Sequence, residues 1–181
     1  MTEFEQPDPE TLARARQIFA ERRIADALAD GAGEGPAHLS PAAIYRAAVG
    51  DAPLPQAEIS AALLRNPALR SAYRSLVAQT SSYALPRAAA ASSAEFPVRE
   101  GDGCRIRVER SRADDDRHYV IIELTDPDRA APQLMTVCDV DDNCTRVALP
   151  EPCRGFIQFL AEPATGILEK LRDVNAEIYF R

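Results

Sequence analysis

The spacing of apolar residues changes in the middle of the chain, and this change restricts the fold more than any other feature of the sequence. In the first part, apolar positions recur every three or four residues, as in Leu69, Tyr73 and Leu76, which is typical of a helix. In the second part, Cys104 and Ile106 alternate with charged residues, which is typical of a half-buried strand. The sequence therefore predicts an α+β chain in which helices precede strands.

Helix starts are marked by short polar side chains placed directly before a proline. Such a side chain can cap the first turn, and proline suits the first helical position because its missing N–H needs no partner there. The three pairs are Asp8-Pro9, Ser40-Pro41 and Asn66-Pro67. A further helix is predicted from about Pro55 to Arg65. Gly31 and Gly50 are predicted to end the first two helices, because glycine readily adopts the left-handed conformation that closes a helix.

The first predicted helix carries an apolar stripe with one slip in phase. Its members are Leu12, Ala15, Phe19, Ile24 and Leu28. Short helices are stable only when their apolar faces pack on a neighbour. We therefore predict a small helical bundle over residues 1–79.

A linker and a β domain are predicted to follow the helices. Residues 80–96 are small and polar and contain a proline, a composition typical of a linker. From residue 97 to 181 the pattern predicts six short strands separated by turn signals, with a hairpin centred on Asp141 and one short helix at about Ile167 to Arg172. This spacing predicts a small antiparallel β-sandwich or barrel-like domain.

Charge and hydropathy restrict the compartment and the partners. The net charge is −7, whereas nucleic acids and anionic membrane surfaces bind concentrated Lys and Arg. We therefore expect neither partner. The first residues are polar and acidic, unlike a signal peptide, and no stretch approaches the 18 apolar residues of a membrane span. The interpretation is a cytoplasmic protein, in which thiols remain reduced.

The four cysteines allow three interpretations. They are Cys104, Cys138, Cys144 and Cys153, and none forms the close pair that structural zinc usually requires. The predicted hairpin places Cys138 and Cys144 opposite one another. We interpret all four as reduced thiols in or beside a core. The alternatives are a cross-strand redox pair and a metal site that uses all four sulfurs.

The sequence offers no recognisable catalytic centre. The two histidines, His38 and His118, lie in a predicted loop and at a strand start, and no nucleophile-elbow, phosphate-loop or zinc-protease motif is present. We therefore predict a protein that is not an enzyme, with no catalytic residues, no bound metal and no cofactor.

One segment resembles a known family. Residues 42–77 run helix, Gly-Asp turn, helix, Asn-Pro-Ala-Leu-Arg, helix, and this order is similar to the N-terminal helical module of bacterial anti-sigma factors, especially their zinc-less forms. The positions that match the zinc ligands of the zinc-binding form are Ala62, Asn66 and Leu69, so the resemblance implies no zinc. It implies a bacterial regulator whose helices bind a protein partner.

These observations predict a non-enzymatic regulatory or adaptor protein of the cytoplasm. Its helices would bind a partner, such as a sigma factor or an enzyme encoded by a neighbouring gene, through Leu69, Tyr73 and Leu76. The alternative for these three residues is that they form the core of the helices themselves. The alternative for the whole protein is a thiol- or metal-responsive sensor that uses the cysteines of the β domain.

Overall fold

The structure is a computed structural model that describes residues 8–30, 40–50, 56–87, 95–111, 114 and 117–181. The chain divides into two compact units, Met1–Leu76 and Val77–Arg181, and the division falls inside a helix. The predicted helix end at Gly31, the predicted loop that contains His38, and residues 88–94 of the predicted linker lie outside the described residues.

In the part of the chain that the structure describes, four helices precede the strands. They are α1 (Pro9–Asp30), α2 (Pro41–Val49), α3 (Gln56–Arg65) and α4 (Pro67–Thr80). The three predicted caps are confirmed: Asp8 accepts a hydrogen bond from the N–H of Thr11 at 2.9 Å, Ser40 from Ala43 at 3.2 Å, and Asn66 from Leu69 at 3.0 Å. The predicted end of α2 is also confirmed, since Gly50 adopts the left-handed conformation with φ 81°.

Each helix of the first unit buries part of its surface. The buried apolar residues are Ile24 and Ala27 of α1, Ile44, Ala47, Ala48 and Val49 of α2, Ile59 and Leu63 of α3, and Leu69, Tyr73 and Leu76 of α4. Buried Asn66, between α3 and α4, donates its side-chain N–H to the carbonyl of Ala27 at 2.8 Å. This bond ties the start of α4 to the second half of α1.

Within the described residues of the second unit, eight strands form two antiparallel sheets. The strands are β1 (Tyr83–Leu85), β2 (Arg99–Gly101), β3 (Cys104–Arg110), β4 (His118–Leu124), β5 (Leu134–Cys138), β6 (Cys144–Ala148), β7 (Phe156–Ala161) and β8 (Glu177–Phe180). One sheet has the order β1-β8-β5-β6 and the other β2-β3-β4-β7. Both sheets contribute to a single apolar cluster, together with the predicted short helix, α5 (Ile167–Arg172).

Part of the stretch predicted as linker is a strand. Tyr83 and Leu85 are buried on either side of exposed Ala84, and β1 pairs with β8, so that Tyr83 lies opposite Phe180. A three-residue strand whose partner lies near the other end of the chain leaves little local pattern. The other strand that the sequence did not predict, β2, is also only three residues long. The described residues thus contain eight strands, against six predicted.

Candidate functional site

The predicted partner-binding residues lie inside the helical unit. Leu69, Tyr73 and Leu76 are 1%, 1% and 5% exposed, and they are called the α4 stripe below. Their burial matches the alternative interpretation, in which the stripe is the core of the helices themselves. As packed in this structure they are not accessible to a partner.

A second apolar stripe in the same unit is exposed. Leu12, Ile18 and Phe19 of α1 are 40%, 59% and 64% exposed, and they are called the α1 face below. Every side chain from residue 8 to residue 19 is exposed, whereas Ile24 and Ala27 in the second half of the helix are buried. The first half of α1 is therefore solvent-facing on all sides.

Position along α1, and not rotation around its axis, separates the exposed residues from the buried ones. At about 100° per residue, Ile24 is rotated by about 140° from Phe19 around the helix axis, but Ala27 is rotated by only about 80° from it. Ala13 lies within about 20° of Ile24 and is nevertheless exposed. The slip in phase that the sequence shows therefore does not account for the exposure of the first half of α1.

Cys138 and Cys144 form a disulfide across the β5–β6 hairpin. The two residues are register partners with Cα atoms 4.1 Å apart. The next pair outward is hydrogen-bonded, since the N–H of Asp139 donates to the carbonyl of Asn143 at 3.1 Å. Cys138 therefore sits at a non-hydrogen-bonded position, where side chains of an antiparallel pair approach most closely. The expectation of reduced thiols was wrong for this pair. It was based on the predicted cytoplasmic location, whereas the hairpin places the two sulfurs within bonding distance.

The loop that joins the two cysteines is held by Lys170 of α5. Its Nζ donates to Oδ2 of Asp139 at 2.7 Å and to the carbonyl of Asn143 at 2.6 Å. Oδ1 of Asp139 accepts the backbone N–H groups of Asp141 and Asn143 at 3.0 and 2.9 Å. Burial raises the pKa of Asp139, but the hydrogen bonds from Lys170 and from Asn143 outweigh it, so the pKa lies below its ordinary value.

The other two cysteines are separate free thiols. Cys104 is buried, and burial raises its pKa to about 11, so it is a neutral thiol at pH 7. Cys153 is exposed. Within the described ranges, no three His, Cys, Asp or Glu side chains are arranged to hold a metal ion, and a disulfide removes two of the four proposed sulfur ligands.

His118 lies at the start of β4 and is buried. Its ring packs against Phe96 with the ring centroids 5.2 Å apart. Among the residues that the structure describes, neither ring nitrogen has a hydrogen-bond partner. Within the described ranges, His118 therefore forms no hydrogen bond with a nucleophile.

Comparison with known proteins assigns no family. No family model, no curated protein and no solved structure matches this chain. Over the described residues, no helix has both the length and the apolar character needed to cross a membrane.

Proposed function

We propose that this chain is a non-enzymatic regulatory or adaptor protein that binds a protein partner through its helical region, as anti-sigma factors do. The observation that carries the proposal is the exposure of the α1 face. It replaces the α4 stripe as the contact surface, because the α4 stripe is buried.

Covering the α1 face would contribute to the free energy of partner binding. Fully burying a Leu, Ile or Phe side chain contributes about 1.5–3 kcal/mol. Three large apolar side chains within eight residues of one helix form a patch of the kind that marks interaction sites. A helix with such anchors can lie in the groove of a partner or beside a partner helix.

The remaining features agree with such a role. The resemblance of residues 42–77 to an anti-sigma module favours a sigma factor or an enzyme encoded by a neighbouring gene as the partner, in a bacterial cytoplasm. In this proposal the four helices form a bundle in which α2, α3 and α4 support α1, and the two sheets form a sandwich. The chain's two compact units suit a protein that connects two other molecules.

Loss of the α1 face should abolish partner binding without unfolding the protein. The test compares full chains that carry Phe19→Ser or Ala13→Ser, expressed in the native host and purified with whatever is bound. Ala13 is exposed on the same helix but lies about 120° from Phe19 around its axis. The proposal predicts a co-purifying protein with Ala13→Ser and its loss with Phe19→Ser, at equal thermal stability. Equal co-purification by both variants would refute it.

A second candidate function is a thiol-responsive sensor, and the Cys138–Cys144 disulfide favours it. Cytosolic disulfides are usually transient and redox-sensing. A thiolate of a dithiol reductant would attack the sulfur of partly exposed Cys144, and the S–S electron pair would leave with Cys138, which then takes up a proton. The second thiol of the reductant would release Cys144 and close the reductant's own disulfide.

The two candidates differ in their response to Cys138→Ser. A sensor loses its response to peroxide in this variant, whereas a partner-binding protein retains its partner. Cys153→Ser is the matched control, because Cys153 is an exposed thiol outside the disulfide. Thiols are counted by alkylation and mass measurement in cells before and after peroxide treatment. A disulfide that stays closed in unstressed cells would exclude the sensor.

A further inference from the structure

We infer that the partner segment bound by the α1 face is an acidic amphipathic helix, with apolar residues at helical spacing and Asp or Glu along their edges. This inference rests on the proposed function and names the chemistry of the partner. It is drawn from the charged residues that border the α1 face.

Arginine residues lie within the α1 face and at its C-terminal end. Residues three or four positions apart are neighbours on a helix surface. Arg16 lies four residues after Leu12 and three before Phe19, and Arg22 and Arg23 lie three and four residues after Phe19. All three arginines are exposed, so their guanidinium groups are accessible to a partner that covers the apolar side chains.

The same spacing holds around Ile18. Arg14 precedes Ile18 by four residues and Arg22 follows it by four, and both are exposed. Carboxylates lie on both sides of these arginines. Asp8 and Glu10 precede Leu12, and Asp26 follows Arg23. Within residues 12–23 the four arginines stand against one carboxylate, Glu21, which accepts a hydrogen bond from Gln17 at 2.9 Å. The positive balance is therefore confined to residues 12–23.

Arginine is well suited to this arrangement. Its aliphatic stem can extend the apolar surface while its head remains in water, and its planar guanidinium pairs with carboxylates in a bidentate geometry. The whole chain carries a net charge of −7, so the arginines around the α1 face are a local excess within an acidic protein. An acidic partner helix would be attracted to residues 12–23 of this helix.

Geometry favours a helix over a nucleic acid as the occupant. Residues 12–23 span about 18 Å, which is about three turns of a partner helix. The arginines alternate with large exposed apolar side chains, which a phosphate backbone would leave uncovered. Nucleic-acid surfaces instead concentrate positive charge with polar groups around it.

The test places a photo-crosslinker in the α1 face. The full chain carrying Phe19→p-benzoylphenylalanine is expressed in the native host and irradiated, and the crosslinked peptide is sequenced by mass spectrometry. The same residue at Ala13 is the control for random capture. The inference predicts a crosslink specific to position 19, to a segment with apolar residues at three- and four-residue spacing and an excess of Asp and Glu.

Charge reversal then tests the role of the arginines. The captured segment, made as a synthetic peptide, should bind the full chain about fivefold or more weakly after Arg16→Glu with Arg23→Glu, as expected for the loss of two surface ion pairs. It should also bind more weakly at higher salt. The peptide with Asp and Glu replaced by Asn and Gln should show no effect of the arginine substitutions.

The outcomes separate the inference from the proposed function. Two results would overturn the acidic partner and leave the protein-binding role intact. One is a specific crosslink to a neutral or basic segment, and the other is peptide binding that is unchanged by the two arginine substitutions. A crosslink to nucleic acid, to a second copy of this chain or to its own second unit overturns both. Equal crosslinking from positions 19 and 13, or none from position 19, also overturns both.

Discussion

The α4 stripe and the α1 face consist of the same kinds of residue at helical spacing, yet one is buried and the other is exposed. The α4 stripe continues in one phase through the helix, so that a single packed neighbour can cover it. The first half of α1 is exposed on every side, and the buried residues of this helix, Ile24 and Ala27, lie in its second half. Apolar periodicity thus predicts which face of a helix would pack on a neighbour, but it does not show how far along the helix the packing extends.

The largest effect is expected when one leucine of the α4 stripe is shortened to alanine and compared with the same change in the α1 face. Leu69→Ala should lower the free energy of unfolding by about 3 kcal/mol, because it deletes buried methyl groups and leaves a cavity. Leu12→Ala should change it by less than about 0.5 kcal/mol, since Leu12 is already solvated. Urea unfolding of the full chain, followed by far-UV circular dichroism, measures both. Equal losses would mean that α1 packs along its whole length.

A second test separates the anchored half of α1 from its exposed half. Asn66 caps α4 and also donates to the carbonyl of Ala27. Asn66→Ala should therefore cost about 2 kcal/mol, combining a lost cap with an unsatisfied buried carbonyl. Asn66→Ser keeps a capping oxygen but not the amide donor, and should recover only the capping part.

Amide hydrogen exchange shows where the Asn66 effect acts. In Asn66→Ala we expect faster exchange in residues 24–28 of α1 and little change in residues 12–19, which have no buried contacts to lose. Ser40→Ala is the control for a cap without a tertiary bond. Faster exchange along all of α1 would contradict a division of the helix into two halves.

Local signals in the sequence predicted the helices better than the sheets. The caps at Asp8, Ser40 and Asn66 depend on residues within one turn, so each was readable from a few letters. β1 was missed because its partner, β8, lies almost a hundred residues away. For the candidate site, the sequence showed the α4 stripe, Leu12 and Phe19 of the α1 face, and the facing positions of Cys138 and Cys144, but not Ile18. It did not show which stripe another helix would cover, since that depends on packing between helices.

The smallest expected effect is the pH dependence of the two helix caps. Asp8, which caps α1, can titrate, whereas Asn66, which caps α4, cannot. The side-chain hydrogen bond from Thr11, with a further one from its backbone, lowers the pKa of Asp8 below the ordinary value of 3.8. The stability that this cap contributes is fully present above pH 3.8. It is lost as the pH falls through the lower folded pKa, because the protonated carboxyl is a weaker acceptor.

Acidification should therefore loosen the start of α1 before it affects the start of α4. We expect the NMR signals of residues 9–12 to move toward coil values below about pH 4, while those of residues 67–70 remain unchanged until global unfolding. In Asp8→Asn, whose amide does not titrate, this early change should disappear. If residues 9–12 and 67–70 instead responded together, the start of α1 would be coupled to the packed helices, and the α1 face would belong to the same cooperative unit as the α4 stripe.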